Sequence, residues 1–124
     1  MKRLTCEQIK KMHQILICKT GGLDGIRDQA LLDSAVNAPF QTFGQEDLFQ
    51  STREKAAHLG FYLIQNHPFI DGNKRIGILA MLTFLEVNGI SVACTDQELT
   101  QVGFALAGST MNVSQLTQWL IDHS

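Results

Sequence analysis

The sequence predicts an all-α protein: a compact bundle of about six or seven helices around one central, buried helix. Three observations lead to this prediction. Apolar residues recur at helical spacing in several segments, capping residues stand before most of these segments, and one segment is apolar on nearly all sides. The chain has 124 residues, of which 44% are hydrophobic and 18% charged, which is enough to bury one core without disulfides. We therefore expect a single domain over residues 1–124.

Capping and stop residues place the first two helices. Thr5 and Gln8 form the pattern of a capping box before an apolar face with helical spacing, and the Gly-Gly pair at 21–22 ends that helix. Asp28 can cap a second helix, which Pro39 ends. The first 39 residues are therefore predicted to hold two helices.

Residues 40–50 show no helical period and contain a glycine and three phenylalanines. Two interpretations of this segment stay open. It is either a short hairpin lying over a pocket or a surface loop held down by its aromatic side chains.

The middle of the chain predicts two helices separated by a tight loop. One helix runs over about residues 51–66 and ends before Pro68, and the next begins near Asn73 or Lys74. Residues 76–85 of the second helix are apolar nearly all round. Because such helices are normally enclosed by other elements, we expect this one to be the central helix.

Two further helices are predicted in the last third of the chain. Thr95 and Glu98 form another capping box, and Asn112 or Ser114 begins the last helix. Residues 90–94 are compatible with a short strand, although no partner strand is evident.

Composition and charge argue against several classes of function. The net charge of −2 implies no general attraction to nucleic acid or to an anionic membrane, so any phosphate must be bound at a local site. The three widely spaced cysteines predict no disulfide framework and suit a reducing compartment. No signal peptide is evident, and the apolar run at 76–82 is too short to span a bilayer. We therefore expect a cytoplasmic protein without a direct nucleic-acid or membrane partner.

The loop before the central helix carries the residues that suggest chemistry. Lys74 and Arg75 stand in the first helical turn, where the helix dipole disfavours cations, so they indicate a site built for an anion. Gly72 lets the backbone approach that anion, and Asn73 can donate its side-chain amide as well as cap the helix. These four residues are the predicted phosphate- or nucleotide-binding residues.

Two neighbouring side chains make this loop a candidate active site. Asp71 beside phosphates is the arrangement that Mg²⁺ prefers, since the ion takes one or two carboxylates plus phosphate oxygens. His67 is the natural proton acceptor for an attacking hydroxyl. We therefore assign catalytic roles to His67, Asp71 and Arg75, and expect Phe69 to anchor the loop in the core.

This segment resembles the signature of the Fic/Doc family, H-P-F-x-[DE]-G-N-G-R-x-x-R. Length and helix order are similar to the compact Doc (death-on-curing) branch, so the resemblance covers nearly the whole chain. It implies an all-α fold with the motif on a loop before a central helix, and an enzyme that uses ATP or another nucleoside triphosphate with Mg²⁺. The matching residues are His67, Pro68, Phe69, Asp71, Gly72, Asn73 and Arg75.

Two departures from that signature bear on the reaction. Lys74 stands where AMP-transferring members have the second glycine, and Ile78 stands where they have the final arginine. Both changes are similar to the Doc branch, so the resemblance implies transfer of the γ-phosphate to a protein hydroxyl by a protein kinase. AMP transfer (AMPylation) remains the rival reaction, and a non-catalytic module that binds phosphate or a partner remains the rival from another class.

The resemblance also implies partners. Members of the family are often restrained by an inhibitory helix with the pattern [ST]-x-x-x-E-[GN]. This chain has only a partial match, Thr42 to Glu46, which is followed by Asp47, so the pattern is absent. Inhibition is therefore expected in trans, from a small antitoxin of a toxin–antitoxin system whose disordered tail folds onto this chain. The implied protein substrate belongs to the translation machinery, with an elongation factor as the candidate.

Overall fold

The computed structural model describes all 124 residues and confirms the all-α fold class. A single turn of 3-10 helix, Ala38–Phe40, and a two-stranded antiparallel hairpin interrupt the helices between α2 and α3. The hairpin strands are β1 (Thr42–Phe43) and β2 (Glu46–Asp47). The six α-helices are α1 (Cys6–Thr20), α2 (Gln29–Asn37), α3 (Thr52–Gln65), α4 (Asn73–Val87), α5 (Asp96–Ala107) and α6 (Val113–His123).

The helix ends follow local capping chemistry. The capping boxes predicted before α1 and α5 are both complete. In each, the threonine hydroxyl accepts from the backbone N–H three residues later, and the Gln8 or Glu98 side chain accepts from the backbone N–H of the threonine. Ser51 caps α3 through its hydroxyl, which accepts from the Glu54 N–H. Asn112 begins α6 and forms a third complete box with Gln115, so Asn112 and not Ser114 is the cap.

Helices α3 and α4 together occupy the centre of the bundle. The core is one cluster of 20 buried residues, and α3 packs against α2, α4, α5 and α6. The α3–α4 contact is close because glycines face each other: a Cβ on Gly77 would lie 3.1 Å from the Gly60 carbonyl oxygen and 2.6 Å from Ile64 Cγ1. One side of α4 remains open, and Leu79 there is 37% exposed.

Residues 40–50 form a hairpin that is pinned to α3 at its base. The Lys55 side chain is 2% exposed, and its Nζ donates to the Phe49 carbonyl and lies 3.2 Å from Asp47 Oδ2. The Phe49 ring stacks on His58 with ring centroids 3.5 Å apart. Phe43 at the tip is 82% exposed. Each interpretation is therefore right in part, since the segment is a hairpin and the Phe49 ring holds it down. Its position over a pocket stays a prediction.

The strand suggested at residues 90–94 is wrong. These residues form no regular element, and the one strand pair in the fold is that of β1 and β2. Ala93 instead donates its N–H to the His123 carbonyl at 2.8 Å, which ties the segment to the end of α6.

The three cysteines are free, and Cys18 is exposed. No helix has both the length and the apolar character needed to cross a membrane.

An ion pair joins the start of α5 to the end of α6. His123 Nε2 lies 3.1 Å from Glu98 Oε2. The Trp119 carbonyl, and then Glu98, raise the pKa of His123 above its ordinary value. The Thr95 N–H, and then His123, lower the pKa of the Glu98 carboxyl. The pair therefore links the two helices in a pH-dependent way.

Candidate active site

A small polar cleft lies at the loop that connects α3 to α4. Its volume is about 300 Å³. All six residues assigned to the site from the sequence line it, and Ile70 is its single apolar lining residue. The lining residues are His67, Ile70, Asp71, Gly72, Asn73, Lys74 and Arg75.

The beginning of the loop is held by Arg27, which the sequence did not single out. Arg27 Nε donates to the His67 carbonyl at 2.6 Å, and its Nη2 donates to the Asn66 carbonyl at 2.8 Å. These bonds satisfy carbonyls that a helix C-terminus leaves without partners. His67 has φ +47°, a left-handed conformation that is uncommon outside glycine, and its side chain is exposed. Arg27 therefore fixes the backbone from which the candidate base projects.

The middle of the loop is closed by Phe69 and Asn73. Phe69 is 2% exposed, which confirms its role as a core anchor. Asn73 Oδ1 accepts from the Phe69 N–H, and Asn73 Nδ2 donates to the Phe69 carbonyl, both at 3.0 Å. The expectation that Asn73 caps α4 is wrong, because its amide closes the loop and Gly72, at φ +77°, occupies the cap position.

The Asp71 carboxylate is held in place by backbone amides. Its Oδ2 accepts from the Leu23 N–H at 3.1 Å, and its Oδ1 accepts from the Gly72 N–H at 2.8 Å. These two N–H groups, in that order, and then the nearby Arg75 guanidinium lower the pKa of the Asp71 carboxyl below its ordinary value. Asp71 therefore carries a negative charge at neutral pH while its side chain remains 44% exposed to the cleft.

The Arg75 guanidinium is oriented by the end of α1. Its Nη1 donates to the Gly21 carbonyl at 2.8 Å and to the Thr20 hydroxyl. Its Nη2 lies 3.7 Å from Asp71 Oδ1, and the side chain is 37% exposed. The planar fork is thus fixed at the edge of the cleft rather than free in solvent.

Lys74 stands between the cleft and a second, apolar groove. Its Nζ lies 4.8 Å from the centroid of the Phe104 ring, a cation–π distance. The groove has a volume of about 580 Å³ and shares Lys74 and Arg75 with the cleft. Its apolar lining residues come from α1, α4 and α5, and they are Leu16, Ile78, Leu79, Leu82, Leu99 and Phe104.

The donor set suits a divalent ion only together with a phosphate ligand. No group of three His, Cys, Asp or Glu side chains is placed to hold a metal by itself. Each oxygen of the ionised Asp71 carboxylate accepts one N–H, and a carboxylate oxygen has a further lone pair to offer. One carboxylate plus phosphate oxygens is a common coordination for Mg²⁺, so the residues present fit that ion as part of a metal–nucleotide complex.

Several site contacts come from residues far away in sequence. Leu23 contributes its N–H, Arg27 its guanidinium, and His13 its ring, whose Nε2 lies 2.7 Å from the Asp71 carbonyl oxygen. His13 shares the helical face of Ile9 and so looked like an ordinary core residue. No local pattern signals these contacts, since each depends on how α1 and the loop after it pack on the motif.

Comparison with known proteins identifies the family. The family model described as the Fic/DOC family matches residues 3–85. "Toxin Doc" of Mycolicibacterium smegmatis is 42% identical over 73 residues, which is 59% of this chain and 56% of that protein. The match thus spans little more than half of that relative's length. "Protein kinase doc" of Escherichia phage P1 is 25% identical over 120 residues, which is 97% of this chain and 94% of that protein. The chain therefore belongs to the Fic/DOC family, and these relatives support its place in the Doc branch.

Proposed function

We propose that this chain is a Doc-like toxin enzyme, acting in the cytoplasm, that transfers the γ-phosphate of a nucleoside triphosphate to a hydroxyl of a target protein. The observation that carries the proposal is that His67, Asp71 and Arg75 line one small polar cleft at the N-terminus of a helix. The relatives called "Toxin Doc" and "Protein kinase doc" support the toxin and kinase parts respectively.

Phosphate binding follows from the start of α4. The first N–H groups of a helix have no intrahelical acceptor and point toward the positive end of the dipole. No side chain caps these groups, since Gly72 occupies the cap position, and Arg75, held by the end of α1, offers a fixed guanidinium beside them. Catalysis of phosphoryl transfer depends mostly on such positioning and charge stabilisation.

Asp71 is the residue that would hold Mg²⁺ with the nucleotide. When bound, the ion would neutralise charge on the phosphate oxygens and orient them. Asp71 serves this purpose because the N–H groups of Leu23 and Gly72 keep its carboxylate ionised and fixed in direction.

His67 acts as the general base. Its imidazole accepts the proton of the target hydroxyl as that oxygen bonds to the γ-phosphorus. The bond from the γ-phosphorus to the bridging oxygen breaks at the same time, and the nucleoside diphosphate leaves with the electron pair. General-base help of this kind is worth on the order of 10²–10⁴-fold in rate. The exposed position of His67 leaves it accessible to a residue of another protein.

Labelled ATP distinguishes this reaction from AMP transfer. The chain is incubated with Mg²⁺, cell lysate and ATP labelled at either the γ- or the α-phosphate. We expect protein labelling from the γ position only, lost in His67→Ala and retained in His123→Ala, whose ring lies at the far end of α6. Label from the α position only would identify an AMP transferase. Growth arrest that survives His67→Ala, without label from either position, would identify a binding module.

Lys74 favours transfer of the γ-phosphate over transfer of AMP. Where AMP-transferring members have a glycine, this residue adds bulk and charge beside the cleft, which opposes the nucleotide orientation that those members use. We therefore expect Lys74→Gly to lose γ-label transfer. The mass of the labelled target would show whether the substrate is a translation elongation factor.

An antitoxin acting in trans completes the proposal. The apolar groove beside the cleft is suited to an amphipathic segment, since it is lined by aliphatic side chains and Phe104 and opens next to Lys74. A helix laid there would reach the cleft that it has to block. Leu79→Asp, at a partly exposed groove position, should keep the toxin active and make it resistant to its antitoxin.

A further inference from the structure

His13 on α1 is a buried histidine that makes directed contacts with the motif loop. Its side chain is 1% exposed. Its ring stacks on Phe69, with centroids 3.9 Å apart and planes inclined by 10°. Its Nε2 lies 2.7 Å from the Asp71 carbonyl oxygen, and its Nδ1 lies 3.6 Å from Asp24 Oδ1. Because a carbonyl oxygen only accepts, Nε2 carries the hydrogen and donates it.

This hydrogen bond completes the anchoring of Asp71. The carboxylate is held by the N–H groups of Leu23 and Gly72, and the main chain of the same residue is held by His13. The amide anchors fix the carboxylate only as long as the backbone beneath it stays in place. The hydrogen bond from His13 holds that backbone in place from the interior of the protein.

His13 stands behind the loop and outside the cleft. It is not among the residues that line the cleft, and a Cβ added to Gly72 would lie 3.5 Å from His13 Nε2. It is therefore not a catalytic residue, because its side chain is buried and does not line the cleft. Whatever it does for the reaction, it does through the position of Asp71.

We propose that His13 is a positioning residue for Asp71: its buried Nε2–H fixes the backbone that aims the carboxylate into the cleft. The inference rests on the proposed function in one respect, namely that Asp71 takes part in binding a metal–nucleotide complex. A residue that served packing alone would be replaceable by any side chain of similar shape. A positioning residue is replaceable only by a side chain that keeps a hydrogen-bond donor at the same place.

The chain offers a matched control in His58 on α3. His58 is also buried, at 8% exposure, and stacks on a phenylalanine, Phe49, at 3.5 Å. Its Nδ1 lies 2.7 Å from a backbone carbonyl oxygen, that of Glu54. Substituting Phe for either histidine removes the same kinds of contact, but only His13 touches the motif loop.

The first measurement uses the nucleotide-free protein. Amide hydrogen exchange is followed at Leu23 and Gly72, whose N–H groups bond to the Asp71 carboxylate. We expect exchange at both sites to be roughly three- to tenfold faster in His13→Phe, the range that the loss of one hydrogen bond spans. We expect no such change in His58→Phe. His13→Gln, whose Nε2 can donate from a similar position, should restore most of the protection.

The second measurement is the affinity for Mg²⁺–ATP by calorimetry. His13→Phe should weaken binding by a similar roughly three- to tenfold factor, and His13→Gln should recover it. In an Asp71→Asn background, His13→Phe should have little further effect, since the two residues act through one carboxylate. If His13→Phe does not fold, His13→Gln and His13→Met give the same contrast of donor against no donor.

The outcomes separate this inference from the proposed function. Equal effects of His13→Phe and His58→Phe, or no rescue by His13→Gln, would overturn the positioning role and leave His13 as core packing. Faster exchange specific to His13→Phe, in a protein that binds no Mg²⁺–ATP, would support the positioning role and refute the proposed function.

Discussion

Two adjacent glycines between α1 and the motif allow a direct test of how tightly the site is built. Gly21 has φ +86° and Gly22 has φ +117°, so alanine is strained at both positions. A Cβ at Gly21 would meet no atom within 4 Å. A Cβ at Gly22 would lie 2.5 Å from Asp71 Oδ2 and 3.2 Å from Arg75 Nη2. Gly21→Ala therefore reports backbone strain at a residue that contacts the site only through its carbonyl oxygen, which accepts from Arg75. Gly22→Ala reports strain together with displacement of the Asp71 carboxylate.

The magnitudes follow from these distances. Strain should cost each variant about 1–3 kcal/mol of stability. In Gly22→Ala the Asp71 oxygen must also retreat from 2.5 Å to at least the 3.4 Å of ordinary contact, a shift of 0.9 Å. Because Leu23 follows Gly22 directly, this movement also lengthens the 3.1 Å bond from the Leu23 N–H. Misplacement of a reacting group by about 1 Å can cost on the order of 10²-fold in rate.

Two assays on the same two variants check this reasoning. Urea unfolding should show a loss of stability in both variants, and the larger loss in Gly22→Ala, because the added Cβ there also displaces the Asp71 carboxylate. Transfer of labelled phosphate should fall roughly 10²-fold in Gly22→Ala and much less in Gly21→Ala. If the two variants are equally active, the position of the Asp71 carboxylate does not matter to the reaction, and the account of the site is wrong.

Three further predictions concern contacts that support the cleft and the fold. Lys55→Ala should destabilise the protein by about 2–4 kcal/mol in urea unfolding, whereas Lys55→Met, which keeps the buried volume, should recover most of that loss. Arg27→Ala should cost only about 1 kcal/mol, since its bonds are exposed, yet reduce phosphate transfer because the His67 backbone loses its support; unchanged transfer would contradict this. The raised pKa of His123 adds stability that is lost as pH rises above about 6.5, and the lowered pKa of Glu98 adds stability that is lost as pH falls below about 4.5. His123→Gln should therefore lower the melting temperature most between those pH values, and an equal effect at pH 9 would refute the ion pair.

Features governed by near neighbours in the chain could be predicted from the sequence. The capping boxes before α1 and α5 are examples, because each involves residues three apart. The loop from His67 to Arg75 is another, because one tight turn brings its members to a single cleft. In both cases, residues that are close together in the sequence are also close together in space.

Features that depend on packing between distant segments could not be predicted. His13 lies 58 residues from its Asp71 partner, and nothing in its helical face distinguishes it from Ile9. Residues 90–94 were compatible with a short strand without an evident partner, and the bundle provides no partner strand for them. Asn73 binds a residue only four positions away, yet its role also depends on packing, because Phe69 is buried in the core and its backbone takes both ends of the Asn73 amide instead of leaving Asn73 to cap α4.

We propose above that the cleft at the start of α4 presents the terminal phosphate of a nucleotide to His67. The most direct measurement is a crystal structure with Mg²⁺ and a non-hydrolysable ATP analogue. We predict that the γ-phosphate lies beside the first-turn amides of α4 and faces His67, with Asp71 directed at the ion. A triphosphate bound outside the cleft, or one whose α-phosphate faces His67, would contradict the account.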